Sequence, residues 1–274
     1  MVLDQEQAER YSRHFVLREI GVGGQKKLLQ SKVLVIGAGG LGSNAIMQLA
    51  AAGVGALGIA DCDKVDLSNL QRQTIHRTKD VGTEKVLSAK RAVEELNPNV
   101  TVILHRERMT ADNIQGVIEQ YDFVLDCTDR FETKFLINDA CVLSKKPYSH
   151  AGAVRFEGQA LTYVPSDSPA EKVPCLRCLL GSVPPIQDTL TCSQAGVLGA
   201  VTGVIGSLQA MEAVKFLLGK GQLLSGKVLH FDGLTMRVRV TDIPHADKHC
   251  AVCGDSPTIL SLTDNREEYE VGCR

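Results

Sequence analysis

The sequence predicts an α/β protein whose mostly parallel sheet is covered by helices on both faces, and three observations predict it. Continuous apolar runs such as KVLVIG, ALGIAD and DFVLDC recur along the first half, each of buried-strand length. Segments with helical spacing alternate with these runs, the order that a parallel sheet requires. Glycines follow the first run directly, where a strand must turn into a helix. A chain of 274 residues is long enough to enclose a sizeable core.

The elements follow in order. Residues 1–30 are expected to form a helical arm, because AERYSRHFVLREI spaces its apolar residues helically; Gly21, Gly23 and Gly24 are expected to break it. KVLVIG is the first strand, and LGSNAIMQLAAA, Leu41 to Ala52, is a helix stopped by Gly53. ALGIAD is the second strand, with Asp61 at its C-terminal end, which completes one βαβ unit. Thr83 to Leu96 reads as a helix with Val86, Ala89, Val93 and Leu96 on one face, ended by Asn97-Pro98. VTVIL, DFVLDC and the stretch around KPYSHAGA are further strands, with helices near 111–119 and 131–144. After residue 150 the pattern changes. VRFEGQALTYVP reads as an antiparallel or edge strand and Pro165 to Pro174 as a loop. A long small-residue helix occupies roughly 195–218, and KVLHFDGL with TMRVRVTDI forms a closing hairpin. No internal repeat or low-complexity tract interrupts the series.

Composition narrows the function. Lys+Arg 30 against Asp+Glu 32 leaves a formal charge of −2, so no basic field invites a nucleic-acid backbone. Hydrophobic residues at 44% with 23% charged exclude a wholly disordered chain. Trp is absent and aromatics make up 4%, which argues against sugar- or base-stacking platforms. The N-terminus, DQEQAERYSRH, is polar where a secretory signal needs an apolar segment. The longest apolar stretch, Ala195 to Leu208, is shorter than the roughly 20 residues that span a bilayer, and Glu212 and Lys215 follow it. A soluble, cytoplasmic protein with no nucleic-acid or membrane partner is expected.

Gly37-Ala-Gly39-Gly40-Leu-Gly42 matches G-x-G-x-x-G in the right setting, after a strand and opening a helix. Such glycines let the backbone approach phosphates, and the helix N-terminus supplies amide donors and partial positive charge. Asp61, 19 residues after Gly42, stands where a carboxylate can take ribose hydroxyls. The plainer reading of the glycines is tight strand–helix packing alone. DCDKVDLSNLQRQ then carries Asp63, Asn69, Arg72 and Gln73, and Lys85 comes twelve residues after Gln73. Two cations beside such a turn offset a triphosphate and the charge that develops when phosphorus is attacked, which favours ATP. In DCTD, ending at Asp129, a carboxylate at the sheet's carboxyl edge offers a ligand for Mg²⁺. The alternative there is capping by Thr128 or Asp129 of the helix that begins near Phe131.

Nine cysteines with no apparent secretory signal point to metal ligands or thiols rather than a disulfide framework. Cys175-Leu-Arg-Cys178 and Cys250-Ala-Val-Cys253 are C-x-x-C pairs with 71 residues between them. Together they form a four-thiolate set suited to structural Zn²⁺, tying the C-terminal half onto the body; the rival reading is a redox dithiol. Cys192 has two readings, an activated thiol at a helix N-terminus or a buried small hydrophobe. Cys62, Cys127 and Cys141 adjoin or lie in core elements and are expected to be inert, and Cys273 sits in the polar tail. The expected organisation is an N-terminal helical arm (1–30), a single nucleotide-binding domain with the zinc site (31–254) and a C-terminal tail (255–274). Its fold is Rossmann-like, with a mixed, mostly parallel sheet and an antiparallel extension.

GAGGLGS, D-x-D-x-V-D-x-SNLQRQ, VGTEK, LDCTD, CLRC, TCSQAG, GVIGSLQAMEAVK and CAVCG occur here in one order. That series resembles the ThiF/MoeB/HesA adenylyltransferases, bacterial relatives of ubiquitin-activating enzymes, from Arg10 to Gly254. The resemblance implies ATP-dependent adenylation of the C-terminal Gly-Gly carboxylate of a ubiquitin-like sulfur carrier, ThiS- or MoaD-like. Pyrophosphate would leave, and a later donor would turn the acyl-adenylate into a thiocarboxylate for thiamin or molybdopterin synthesis. It implies that Gly39 and Gly42 border the nucleotide, that Asp61 binds ribose, and that Asn69, Arg72 and Lys85 hold the phosphates. Asp129 would orient Mg²⁺; Gly37, Gly40, Asp63 and Gln73 complete the nucleotide-binding set. Arg13 would reach the active site of a partner protomer, which implies a homodimer, and Cys192 falls where some thiamin-branch members form a persulfide or acyl-disulfide. Residue 130 is Arg where many members carry a small polar residue such as Asn. With only about twenty polar residues after Gly254, sulfur is expected from a separate donor protein. The rivals are an NAD-dependent oxidoreductase, which rests on the glycine motif alone, and a non-catalytic carrier-docking protein.

Overall fold

Five strands run parallel: β1 (Lys32–Ile36), β2 (Ala56–Ala60), β3 (Thr101–His105), β4 (Phe123–Asp126) and β5 (Tyr148–Val154). β6 (Glu157–Tyr163), β7 (Lys227–Asp232) and β8 (Arg237–Asp242) continue the same sheet antiparallel. The spatial order is β3-β2-β1-β4-β5-β6-β7-β8. The order reverses beside β1, and that reversal opens a crevice at the carboxyl ends of β1 and β4. This computed structural model describes residues 3–166, 172–184, 195–243 and 245–270.

The sheet is covered on both faces, and β1 shows how. Val33 and Val35 join one apolar cluster, with residues of α4 (Gly40–Ala52), α5 (Lys85–Leu96) and α9 (Gly199–Leu218). Leu34 and Ile36 point the other way, towards α6 (Ile114–Ile118) and α7 (Phe131–Leu143). A strand buried on both faces must be apolar throughout, which is why these runs do not alternate. Gly53, at φ +79°, stops α4 as expected. The expected fold class is borne out, antiparallel extension included.

Several local expectations need correction. The arm comprises α1 (Gln5–Arg10), α2 (Ser12–Phe15) and α3 (Gly21–Gln30), so Gly21, Gly23 and Gly24 open a helix instead of breaking one. Gly24 lies in close contact with its neighbours: a Cβ there would lie 2.9 Å from Leu218 Cδ2 and 3.2 Å from Ile20, so the end of the Leu218 side chain would have to shift. Leu96 ends α5 at 37% exposure, off the face formed by Val86, Ala89 and Val93. α9 is long and apolar enough by composition to cross a membrane, yet half of its apolar stretch is buried within the protein. There it carries the buried Glu212, which accepts from Thr162 Oγ1 at 2.6 Å and from the Leu224 amide at 2.7 Å.

The segment after Gly254 is not a free polar tail over its described length. Ile259, Leu262 and Tyr269 are buried in the second cluster. α10 (Arg266–Glu270) is clamped by Arg177 of α8 (Leu176–Leu180), whose guanidinium bonds Asp139 at 2.7–2.9 Å and Glu268 at 2.7 Å. Asp139 also accepts from Tyr269 Oη at 2.6 Å. Arg177→Ala would leave a fully buried carboxylate without its cation, a loss of about 3 kcal/mol. Thermal unfolding is expected to fall by roughly 10 °C; an unchanged Tm would show that the clamp contributes nothing.

Candidate functional site

A cleft of about 1950 Å³ lies over the carboxyl ends of the parallel strands and runs on across β6, β7 and β8. Its first wall is the turn from β1 into α4. Gly37 has φ +99°, and a Cβ there would meet Cys127 O at 2.7 Å. A Cβ on Gly42 would lie 1.9 Å from Gly37 O, so no other residue fits beneath the turn. Gly37, Gly39 and Gly40 line the cleft, whereas Gly42 supports the turn from below. Gly39 caps α4 with no side-chain bond, leaving the first amides of a 13-residue helix available to an anion. Gln73 stands beside the turn; its Oε1 is buried and has no partner among the described residues. Such an atom is costly unless something donates to it.

Asp61, Asp63 and Lys85 form the adjoining wall. Asp61 accepts from the amides of Ala38 (2.8 Å) and Asp63 (2.9 Å), so it braces the glycine turn as well as facing the cleft. Burial pushes its carboxyl above the usual range, against the pull of Lys85 and those two amides. Lys85 begins α5 with its Nζ 2.9 Å from Asp63 and 3.9 Å from Asp61. Arg72 follows from a short 3₁₀ turn, Leu67–Asn69, in which Asn69 Oδ1 accepts from the Asp66 amide at 3.2 Å. One guanidinium N–H of Arg72 reaches Ser68 O at 3.3 Å, and among the described residues it forms no ion pair. Asn69, Arg72, Gln73 and Lys85 all line the cleft.

At the end of β4, Asp126 of the DCTD segment gathers two residues that sequence reasoning missed, Lys134 and His150. Asp126 is fully buried and accepts from Thr128 N (3.1 Å) and Oγ1 (2.7 Å), His150 Nδ1 (2.7 Å) and Lys134 Nζ (3.3 Å). Burial alone would raise its pKa, but Lys134, His150 and Thr128 together hold it well below the usual carboxylate range. Thr128 therefore serves Asp126 and does not cap α7, whose N-cap is Arg130 with no side-chain bond. Asp129 and Arg130 are exposed on the cleft wall. No periodicity marks Lys134 or His150; a lone Lys in the apolar helix FETKFLIND was the only hint.

The four cysteines of the two C-x-x-C pairs converge away from the cleft. Their sulfurs all lie within 4.8 Å of one another, with Cys175–Cys250 at 3.6 Å, Cys175–Cys178 at 3.9 Å and Cys178–Cys253 at 3.4 Å. Metal–sulfur bonds of about 2.3 Å in a tetrahedron place sulfurs about 3.8 Å apart, so the set fits Zn²⁺. The amide of Asp247 donates to Cys178 Sγ at 3.4 Å, as sulfurs bearing negative charge require.

The remaining expectations meet mixed outcomes. Arg13 is exposed on the arm and does not line it. Cys192 and Cys273 lie outside the described residues. Cys127 and Cys141 are buried as expected, and burial pushes both thiols up. Cys62, expected to adjoin a core element and be inert, is exposed on the cleft wall, two residues beyond the end of β2.

A model of the ThiF family matches residues 11–252. The "Adenylyltransferase and sulfurtransferase MOCS3" of Aedes aegypti is 44% identical over 271 residues, 99% of this chain and 60% of that protein. MOCS3-2 of Zea mays is 44% identical over 261 residues, covering 95% of this chain and 53% of its own length. The chain thus spans between half and two thirds of the length of these curated relatives. Among solved structures, E. coli MccB with AMPCPP and MccA superposes with TM-score 0.75 at 25% identity, over 89% of this chain and 74% of that one. E. coli MccB with ATP shares the fold at TM-score 0.76 and 24% identity, over 92% and 75%.

Proposed function

Because this chain belongs to the ThiF family, we propose that it adenylates the C-terminal Gly-Gly carboxylate of a ubiquitin-like sulfur-carrier protein, ThiS- or MoaD-like. The observation that carries this reading is the gathering of the glycine turn, the orphaned Gln73 Oε1, Arg72, Lys85 and Asp129 on one cleft. MccB in its complex with AMPCPP and MccA, a relative of the same fold, supports a nucleotide in such a cleft. Hydride transfer has no need of the two cations beside the turn.

The turn's amides and Gln73 would receive the nucleotide, Asp61 the ribose, with Asp63 and Asn69 beside it. Arg72 and Lys85 would hold the polyphosphate and offset the charge that develops as the carrier carboxylate attacks the α-phosphorus. That carboxylate is already ionised at pH 7, so adenylation needs alignment rather than a base. Asp129, an exposed carboxylate on the cleft wall, would hold Mg²⁺, which would supply further neutralisation at the phosphates. Asp126 is committed to Lys134, His150 and Thr128 and is not free for that task. The carrier's tail would lie extended over β6–β8, where the cleft continues.

Arg13, exposed and not among the residues that line its own cleft, would serve the partner's site in a homodimer. Zn²⁺ on Cys175, Cys178, Cys250 and Cys253 would be structural, since four thiolates leave no open position. Reduced thiols in that number fit a cytoplasmic enzyme, and a separate protein would deliver sulfur for molybdenum-cofactor or thiamin synthesis. Carrier-dependent ATP–pyrophosphate exchange tests the reading. Exchange with a ThiS- or MoaD-like carrier, lost when the Gly-Gly tail is removed, is the expected result. Absence of exchange with both carriers would refute it.

A further inference from the structure

His150 has chemistry that adenylation does not use. A carboxylate can only accept hydrogen bonds, so the 2.7 Å contact to Asp126 places the ring proton on Nδ1. A neutral ring therefore carries its lone pair on Nε2. Burial, then Lys134, hold the imidazole below its usual pKa, which keeps it neutral at pH 7. Nε2 has no protein partner among the described residues, and the ring lines the cleft. The other buried histidine shows the contrast. His76 has both nitrogens occupied, Nδ1 by Ser88 at 2.8 Å and Nε2 by Ala38 O at 3.0 Å, as a structural histidine should.

Position adds to chemistry. The glycine turn follows β1, and the cleft's other end lies over β6–β8. Between them stand β4 and β5, and His150 is the residue of β5 paired with Asp126. A tail approaching from the far end meets a nucleotide at the turn in that middle section.

We propose that His150 Nε2 accepts the proton of a thiol or persulfide that attacks the acyl-adenylate, a step that rests on the adenylation reading above. The S–H sulfur bonds to the acyl carbon, the bond from that carbon to the AMP oxygen breaks, and AMP leaves. The proton passes to Nε2, and the product is a thioester or an acyl-disulfide; nothing is oxidised or reduced. Asp126 holds the imidazole in the accepting tautomer and stabilises the imidazolium, while Lys134 keeps Asp126 ionised.

His150→Asn tests this, because its amide nitrogen can take the place of Nδ1 against Asp126 while Nε2 is lost. AMP release from preformed adenylate is followed with dithiothreitol, largely un-ionised at neutral pH, and with 5-thio-2-nitrobenzoate, already a thiolate. Release with dithiothreitol is expected to fall about 100-fold, while thionitrobenzoate release and ATP–pyrophosphate exchange stay within about threefold. An equal fall with both thiols, or lost exchange, would make His150 structural and overturn the proposal. Unchanged release with both thiols would do so too. Failure of the unmodified enzyme to exchange would instead sink the adenylation reading, and this step with it.

Discussion

Lys85→Ala is expected to lower carrier-dependent ATP–pyrophosphate exchange by about 100- to 1000-fold, the scale seen when one charge-stabilising group is removed from a preorganised site. Lys85 lies at a helix start with only 8% of its side chain exposed, beside two carboxylates. Its removal therefore subtracts a cation from the cleft and leaves Asp61 and Asp63 uncompensated towards an incoming polyphosphate. The two effects act in the same direction. Arg72→Ala is expected to do the same with less disturbance, since among the described residues its guanidinium makes a single long hydrogen bond, to Ser68 O. Purified variants with native circular dichroism and full exchange would refute the phosphate clamp.

The second large effect concerns stability. Removing the metal by chelation, or replacing Cys250 with Ser, is expected to lower Tm by more than about 10 °C, because structural zinc contributes directly to folding free energy. The cysteine cluster belongs to the apolar cluster on one face of the sheet, with Cys175 and Cys250 buried beside Val252 and Ile259. The glycine turn packs with the cluster on the opposite face. ATP affinity, followed at a temperature where the apo protein stays folded, is therefore expected to change less than threefold. Loss of ATP binding in step with zinc release would show that the two sites are one unit.

Much of the fold was legible because strands buried on both faces cannot alternate. KVLVI and ALGIA announce themselves as uninterrupted apolar runs, and their glycine and aspartate ends mark the crevice. The four cysteines were legible as a set because C-x-x-C fixes local geometry whatever the fold between the pairs. What stayed hidden depended on distant partners. Gly24 looks like a helix breaker until Leu218 comes to rest 2.9 Å from where a Cβ would be. Ile259, Leu262 and Tyr269 are too sparse among polar neighbours to suggest a buried face, yet Arg177 and Asp139 hold their segment down. His150 and Lys134 lie 24 and 8 residues from Asp126, and only strand pairing and a helix turn bring them to it. Thr128 looked like a cap because its competing acceptor, Asp126, lies two residues earlier.

The sheet has two borders, β3 on one side and β8 on the other; all six residues of β8 are exposed, and β7 is its only partner among those described. An unpaired border of amides and carbonyls is a template on which any extended chain can add itself, another copy of this protein included. Val238 and Val240, at 61% and 49% exposure, would make that addition favourable. Arg237, Arg239 and Asp242 interrupt them, and a salt link from Lys227 to Asp242 ties the border to its neighbour. Those charges on the last strand are thus expected to keep the border from capturing other chains, and two of them, Arg237 and Arg239, line the same cleft as Arg72 and Lys85.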